Sequence, residues 1–398
     1  MKITAVCSLG LLLTFGSALT AQPRNLPPPT TTCGGSTLAV WGSQFRFDAC
    51  HTGFNPFEVV LNPANVGNLV LDWQYTTVGN VYSSPAVANG VVYIGSGYAM
   101  YALNATTGAY IWSYTTAYGS ASSPTVANGV VYTASDGTLY ALNADNGALL
   151  WSYATGYGSD SSPAVADGVV YIGFGDDNVY ALNASTGAVI WQYTTGNVVE
   201  SSPAVANGVV YVGSDDFNVY ALNASSGALL WKYTTAQHVQ SAPAVVSGVV
   251  YVWSNDDNLY ALNASTGALL WKYATAGDLT SISPAVANGV VYITSYQNVY
   301  ALRASTGAAL WSYKAQGNFY SSPTVANGVV YIGADNGNLF ALDAGTGALL
   351  WVSPTNPYLH ATSPAVADGV VYVGYSYGSN LYAFHLPGKA EPRKSHDR

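Results

Sequence analysis

Apolar and polar residues alternate in short runs along most of the chain, and small turn-forming residues separate the runs. The copy at residues 201–235 shows the pattern. SSPAVA leads into Asn207-Gly208, and VVYVGS follows. Asn-Gly between two β-rich runs predicts a tight hairpin, because both turn residues must take positive φ. Asp215-Asp216-Phe217-Asn218 predicts a second turn. NVYALNA then predicts a third strand, with Val219 and Ala221 alternating against Tyr220 and Leu222. Ser225-Ser226-Gly227 predicts a third turn before ALLWKYTT, a fourth strand. A helical solenoid would need amphipathic helices, and the Gly, Pro and β-branched content excludes them.

The four-strand unit recurs. Its tryptophan stands at Trp73, Trp112, Trp151, Trp191, Trp231, Trp271, Trp311 and Trp351, always 39 or 40 residues apart. A proline of the SSPAVANG type stands at Pro85, Pro124, Pro163, Pro203, Pro243, Pro284, Pro323 and Pro364. Four short antiparallel strands at this period describe one propeller blade. The chain is therefore expected to be all-β, an eight-bladed β-propeller of four-stranded antiparallel blades. The two ends predict its closure. The first unit has only an outer strand, LVLDWQYTT around Trp73, and the last stops after LYAFHL without an ALLW strand. The N-terminal strand should complete the eighth blade and remove its free edge.

In ALNASTGALLWKY (residues 261–273), Gly267 permits the tight turn and Thr266 can bond its own turn backbone. Trp271 brings a large apolar face to the outer strand, where only a neighbouring blade can cover it. All eight tryptophans are assigned to blade docking. The pattern Ala-x-(Asp/Asn)-x-x-Thr-Gly-x-x-x-Trp resembles the tryptophan-docking motif of the pyrroloquinoline quinone (PQQ) propeller superfamily. Asp stands at the third position only as Asp343; Asn104, Asn143, Asn183, Asn223 and Asn263 replace it elsewhere, and Arg303 is the outlier. The resemblance covers residues 65–386 and implies the fold. That superfamily includes both PQQ-dependent alcohol and sugar dehydrogenases and a non-catalytic propeller of outer-membrane barrel assembly. The sequence is closest in character to the non-catalytic PQQ-like repeat proteins: its units are nearly uniform, no adjacent cysteine pair exists, and no Arg or Lys stands among the expected funnel residues.

Composition changes the picture in one direction. Only 8% of the 398 residues are charged, and the net charge is −9. No basic surface for nucleic acid is implied. Met1-Lys2, the apolar run 3–15 and small residues to Ala21 read as a signal peptide, residues 1–21. Cys7 lies too early for a lipid-anchor site, and no other segment could span a bilayer. The mature protein is expected to be secreted or periplasmic and monomeric. Residues 22–64 read as a Pro/Thr-rich linker and N-terminal cap on the rim or one face, with Cys33 and Cys50 as a disulfide. The propeller spans 65–386, and a disordered tail takes 387–398.

The Asn-Gly and Ser-Thr-Gly turns should share one face, copied in every repeat. The Asp-rich turns and inter-blade loops should form the other, which varies, and a specific site belongs there. The residues three before each proline are expected to face a central funnel: Tyr82, Ala121, Asp160, Glu200, Gln240, Ser281, Tyr320 and Ala361. Asp160 and Glu200, with Gln240 beside them, could hold a hard cation such as Ca2+; solvated funnel residues are the plainer reading. His238 and His360 share that side. The Asp pairs 176–177, 215–216 and 256–257 read as turn formers, and four Asn-Ala-Ser/Thr sequons read as one copied turn. Loop aromatics Tyr118, Tyr157, Phe319, Tyr320 and Tyr358 would suit a protein or envelope-polymer partner. The leading expectation is an exported binding or scaffolding module, with no catalytic residue and no cofactor. The alternative is a PQQ- and Ca2+-dependent dehydrogenase with its cofactor in the funnel among Asp160, Glu200, Gln240, Tyr82 and Tyr320.

Overall fold

A computed structural model describes residues 46–116, 122–158, 160–275, 282–353 and 360–388. They form eight antiparallel sheets, one per blade. Blades 1 to 7 span residues 86–115, 125–154, 164–194, 204–234, 244–274, 285–314 and 324–352. Blade 8 takes Ala365–Ala367, Val370–Ser376 and Asn380–His385 from the C-terminal end. Its outer strand is Val70–Thr76, which pairs Trp73 with Ala383. The expected closure is present.

The turns behave as their residues require. Asn207 and Gly208 have φ of 51° and 73°. The Asn-Gly and Thr-Gly turns share a face, since Ala224 N–H donates to Gly208 O. Asn183 Oδ1 accepts from Ser185 N, Thr186 N and Thr186 Oγ1, so the sequon-like asparagines are turn caps. The third strands are buried on both sides: Val219, Tyr220, Ala221 and Leu222 all lie in the core. Blades stack face against face, so an inner strand has no solvent side.

Docking of blade on blade is built from more than the tryptophan. Trp231 Nε1 donates to Ala264 O of the next blade at 2.8 Å. Tyr211 OH, from the VVY strand, donates to the same carbonyl at 3.1 Å. The pair recurs from blade to blade, including the closure, where Trp73 and Tyr372 both reach Ala105 O. Each motif glycine lies under the preceding blade's indole; a Cβ on Gly267 would sit 2.7 Å from Trp231 Cε3.

Blade 8 lacks the docking turn, so the junction of blades 7 and 8 is different. Leu61, Val66 and Leu69, around a short 3-10 helix at Val66–Asn68, fill it and pack with Tyr331, Trp351 and Phe384. Tyr331, whose counterparts reach an alanine carbonyl, is fully buried with its hydroxyl unbonded among the described residues.

The N-terminal segment departs from a rim position. Residues 46–55 run inside the central channel, along the innermost strands of successive blades. Val205 N donates to Ala49 O, Val245 N to Cys50 O, Val286 N to Thr52 O and Val325 N to Gly53 O. Phe54–Asn55 adds a parallel strand to blade 7, and Asn55 Nδ2 donates to Val366 O of blade 8. Five blades are touched in seven residues because the inner strands crowd a narrow axis. The physical cause is the inner edge itself: an edge strand's N–H groups need acceptors, and this segment supplies them. Cys50 is buried here. Cys33, the signal peptide and most of the tail lie outside the described residues.

Candidate functional site

The variable face has two poles. At blades 3 to 5, Asp160, Glu200, Asp215, His238 and Gln240 form one polar group. Gln240 Nε2 donates to Asp215 Oδ2 at 3.3 Å, and Asn255 Nδ2 donates to Gln240 Oε1 at 3.1 Å. His238 Nδ1 lies 2.7 Å from Asp215 O and 3.8 Å from Asp215 Oδ1. Phe217 meets the imidazole edge-on at 5.0 Å. Desolvation pushes the Asp160, Glu200 and Asp215 carboxyls upward. Asp215 and Asp160 push Glu200 further up, and His238 eases it. Asp215 is the member that its place in a turn pair concealed.

The neighbouring aspartates keep their turn role. Asp216 works against desolvation: Tyr220 OH, Gly196 N and Asn218 donate to it and hold its carboxyl below the usual range. Asp256 does the same with Tyr260, Ala236 and Asn258.

The second pole is aromatic and lies across the ring, at blades 7, 8 and 1. Tyr320 stacks on His360 with centroids 5.7 Å apart, and Tyr377 meets that imidazole edge-on at 5.2 Å. Tyr82 OH accepts from Asn80 Nδ2. Tyr82 and Tyr320 are exposed, as is Tyr157. Phe319 is fully buried, packed on Phe340, so it anchors blade 7 and offers nothing to a partner. Ala361 is also buried, in a short strand against Tyr375. Ala121, Ser281, Tyr118 and Tyr358 lie outside the described residues. The remaining funnel candidates lie a few residues ahead of the inner strands.

Below these residues the paired serines before each proline build the funnel wall. Ser84 N donates to Ser123 Oγ, Ser123 N to Ser162 Oγ and Ser162 N to Ser202 Oγ, at 2.8–2.9 Å. Ala242 N donates to Ser283 Oγ, Ser283 N to Ser322 Oγ and Ser322 N to Ser363 Oγ. The belt is broken after Ser202, where Ala242 has no hydroxyl, and between Ser363 and Ser84. The repetition of Ser-Ser-Pro was its visible signal.

The channel also contains a basic residue that the funnel positions lacked. Arg46 is buried on the 46–55 segment, and its Nη2 donates to Pro284 O. Asp48 and His51 are buried beside it. Desolvation raises Asp48 to about 6 against hydrogen bonds from Thr52, and lowers His51 to about 3 with Arg46 adding to the shift.

These residues do not fit a PQQ funnel. The cofactor's carboxylates need cations or donors. The candidates Asp160 and Glu200, joined by Asp215, present carboxyls that already repel one another, where the cofactor's own carboxylates would need positive groups. Among the described residues, no set of three or more His, Cys, Asp or Glu is arranged to hold a metal ion. Asp160 and Glu200 share a field without forming a coordination shell. No helix among the described residues is long and apolar enough to cross a membrane.

Known proteins agree on the architecture. The chain resembles the quinohemoprotein alcohol dehydrogenase of Comamonas testosteroni at 17% identity and TM-score 0.75, over 90% of this chain and 82% of that one. BamB from Moraxella catarrhalis matches at 19% identity and TM-score 0.67, over 80% and 99% of the two chains. A europium-containing methanol dehydrogenase matches at 15% and 0.74, over 87% and 98%. At such identities the likeness is one of fold. No curated protein matches the sequence. A family model described as outer membrane protein assembly factor BamB matches residues 64–202, 176–286 and 266–390. With its docking motif repeated through seven blades and that model running from residue 64 to 390, the chain belongs to the BamB-like PQQ-repeat β-propeller family.

Proposed function

We propose that the protein is an exported, non-catalytic module, secreted or periplasmic, that binds or scaffolds a partner through its variable face. One observation carries the reading: exposed aromatics gather on the face that the repeat does not copy. Tyr82, Tyr98, Tyr157, Tyr320 and Tyr377 are 52–64% exposed there. The opposite turns carry small polar residues. Exposed rigid aromatics anchor interfaces at low entropic cost. The acidic pole across the funnel sets the orientation of whatever docks. The partner is a protein or an envelope polymer, and the family description makes an outer-membrane protein the first to examine.

The test is affinity purification of the exported chain against a Tyr320→Ser/Tyr377→Ser variant, with folding checked by circular dichroism. A stoichiometric partner should be retained by the wild type and lost by the folded variant. Equal retention would remove the aromatic pole from the interface. Reconstitution with PQQ and Ca2+ is the second arm: dye-linked oxidation of alcohols or sugars by a quinone-loaded protein would overturn the non-catalytic reading.

A further inference from the structure

We infer that the channel holds a subsite for a small carboxylate with a short apolar tail, built where blade 8 meets blade 1. Three observations on separate elements meet there.

The first is a buried cation without a hydrogen-bonded carboxylate partner. Arg46 is 8% exposed, and its guanidinium donates only to backbone carbonyls, those of Pro284, Pro323 and His51. It pairs with no carboxylate among the described residues. Nη1 makes no hydrogen bond there, although a guanidinium has donors on every nitrogen. Asp48, whose charge acts on Arg46, gives both oxygens to Thr52. A buried charge without a hydrogen-bonded counter-ion is costly, and an anion at Nη1 would offset that cost. Desolvation lowers the guanidinium to about 9, with the Asp48 charge opposing the shift.

The second is the break in the serine belt. Between Ser363 and Ser84 both residues are serine, yet no belt bond joins them; among the described residues the Ser363 N–H and the Ser84 hydroxyl lack the partners their counterparts have. Both are partly exposed, whereas Ser123, Ser162, Ser202, Ser283 and Ser322 are buried.

The third is space. A cavity of about 40 Å³ opens at this junction, lined by Arg46, Ser84 and Ser363 with Pro85, Pro364 and Val366. That is room for roughly three waters, or for a carboxylate head. A guanidinium, an amide N–H and a hydroxyl form a donor set for two carboxylate oxygens. The proline and valine walls suit a short alkyl tail. Chloride would leave those walls wet, and a neutral isostere would leave the guanidinium uncompensated.

The test uses the mature full-length protein titrated with sodium butyrate, butyramide and sodium chloride at constant ionic strength, by calorimetry and thermal shift. Butyrate should bind saturably and raise Tm, and butyramide should do neither. Chloride should bind at least about tenfold more weakly than butyrate, a gap of about 1.4 kcal/mol. Arg46→Met should abolish butyrate binding. Because that variant could fail to fold, Ala365→Leu provides a second arm: it narrows the cavity with Arg46 intact and should also abolish binding. Equal response to butyrate and butyramide, chloride binding as tight as butyrate, or full binding by a folded Ala365→Leu protein would each overturn the assignment.

Discussion

Replacing Gly267 by alanine tests whether blade docking or turn conformation makes the motif glycine necessary. Gly267 has φ of 71° and Gly208 has φ of 73°. Alanine at either position pays the same left-handed penalty, about 1–2 kcal/mol. The two differ in what a Cβ would meet. At Gly208 nothing lies within 4 Å, whereas at Gly267 the new carbon falls 2.7 Å from Trp231 Cε3 and 2.8 Å from Cδ2. The indole has no easy retreat, because Trp231 Nε1 is bonded to Ala264 O at 2.8 Å. Overpacking of this kind adds about 1–3 kcal/mol. Gly208→Ala should therefore lose about 1–2 kcal/mol, and Gly267→Ala about 2–5 kcal/mol. Urea unfolding with a shared m value reads the difference as a shift in midpoint. Hydrogen exchange should show extra opening in blades 4 and 5 for Gly267→Ala alone. Equal midpoints for the two variants would refute the docking argument and leave only the turn.

Two further outcomes follow from the N-terminal segment. Leu61→Ala should cost about 2–5 kcal/mol, since Leu61 is fully buried at the one junction without a docking turn; hydrogen exchange should loosen blades 7 and 8 while blade 3 keeps its protection. His51 should change the pH profile. Its folded value, about 3, lies below the ordinary 6.5, so the unfolded chain takes up a proton first and stability falls as pH drops between those values. Asp48 acts in the opposite sense: its folded value is raised to about 6, so its contribution is present below about 4 and lost as pH rises through 6. Wild type minus His51→Asn therefore isolates the histidine, with a slope of about 1.4 kcal/mol per pH unit between pH 6 and 4. Parallel profiles for the two proteins would show that His51 titrates normally.

Much of this molecule was legible in the residue pattern, for a physical reason. Strand period, Asn-Gly turns and a recurring tryptophan are local signals, and each is used locally. The count of eight and the closing strand followed from the units at the two ends. The tyrosines of VVY and the Ser-Ser pairs were also visible, but their partners lie about 50 and 40 residues away, in the next blade. Only stacking reveals that Tyr211 and Trp231 share Ala264 O, or that serine hydroxyls chain around the funnel. Phe319 illustrates the converse: a loop aromatic reads as exposed until Phe340 covers it.

By itself, then, the sequence determined the blade, the number of blades, the closure and the face on which variation is allowed, because these depend on contacts inside one repeat or on the order of repeats. Tertiary structure alone decided what fills the axis. Residues 46–55 carry no repeat signal, and nothing in FRFDACHTGF announces a strand. They enter the channel because eight inner edges converge there with backbone donors to satisfy. Arg46 comes with them, and its chemistry arises from burial among carbonyls contributed by residues more than two hundred positions away.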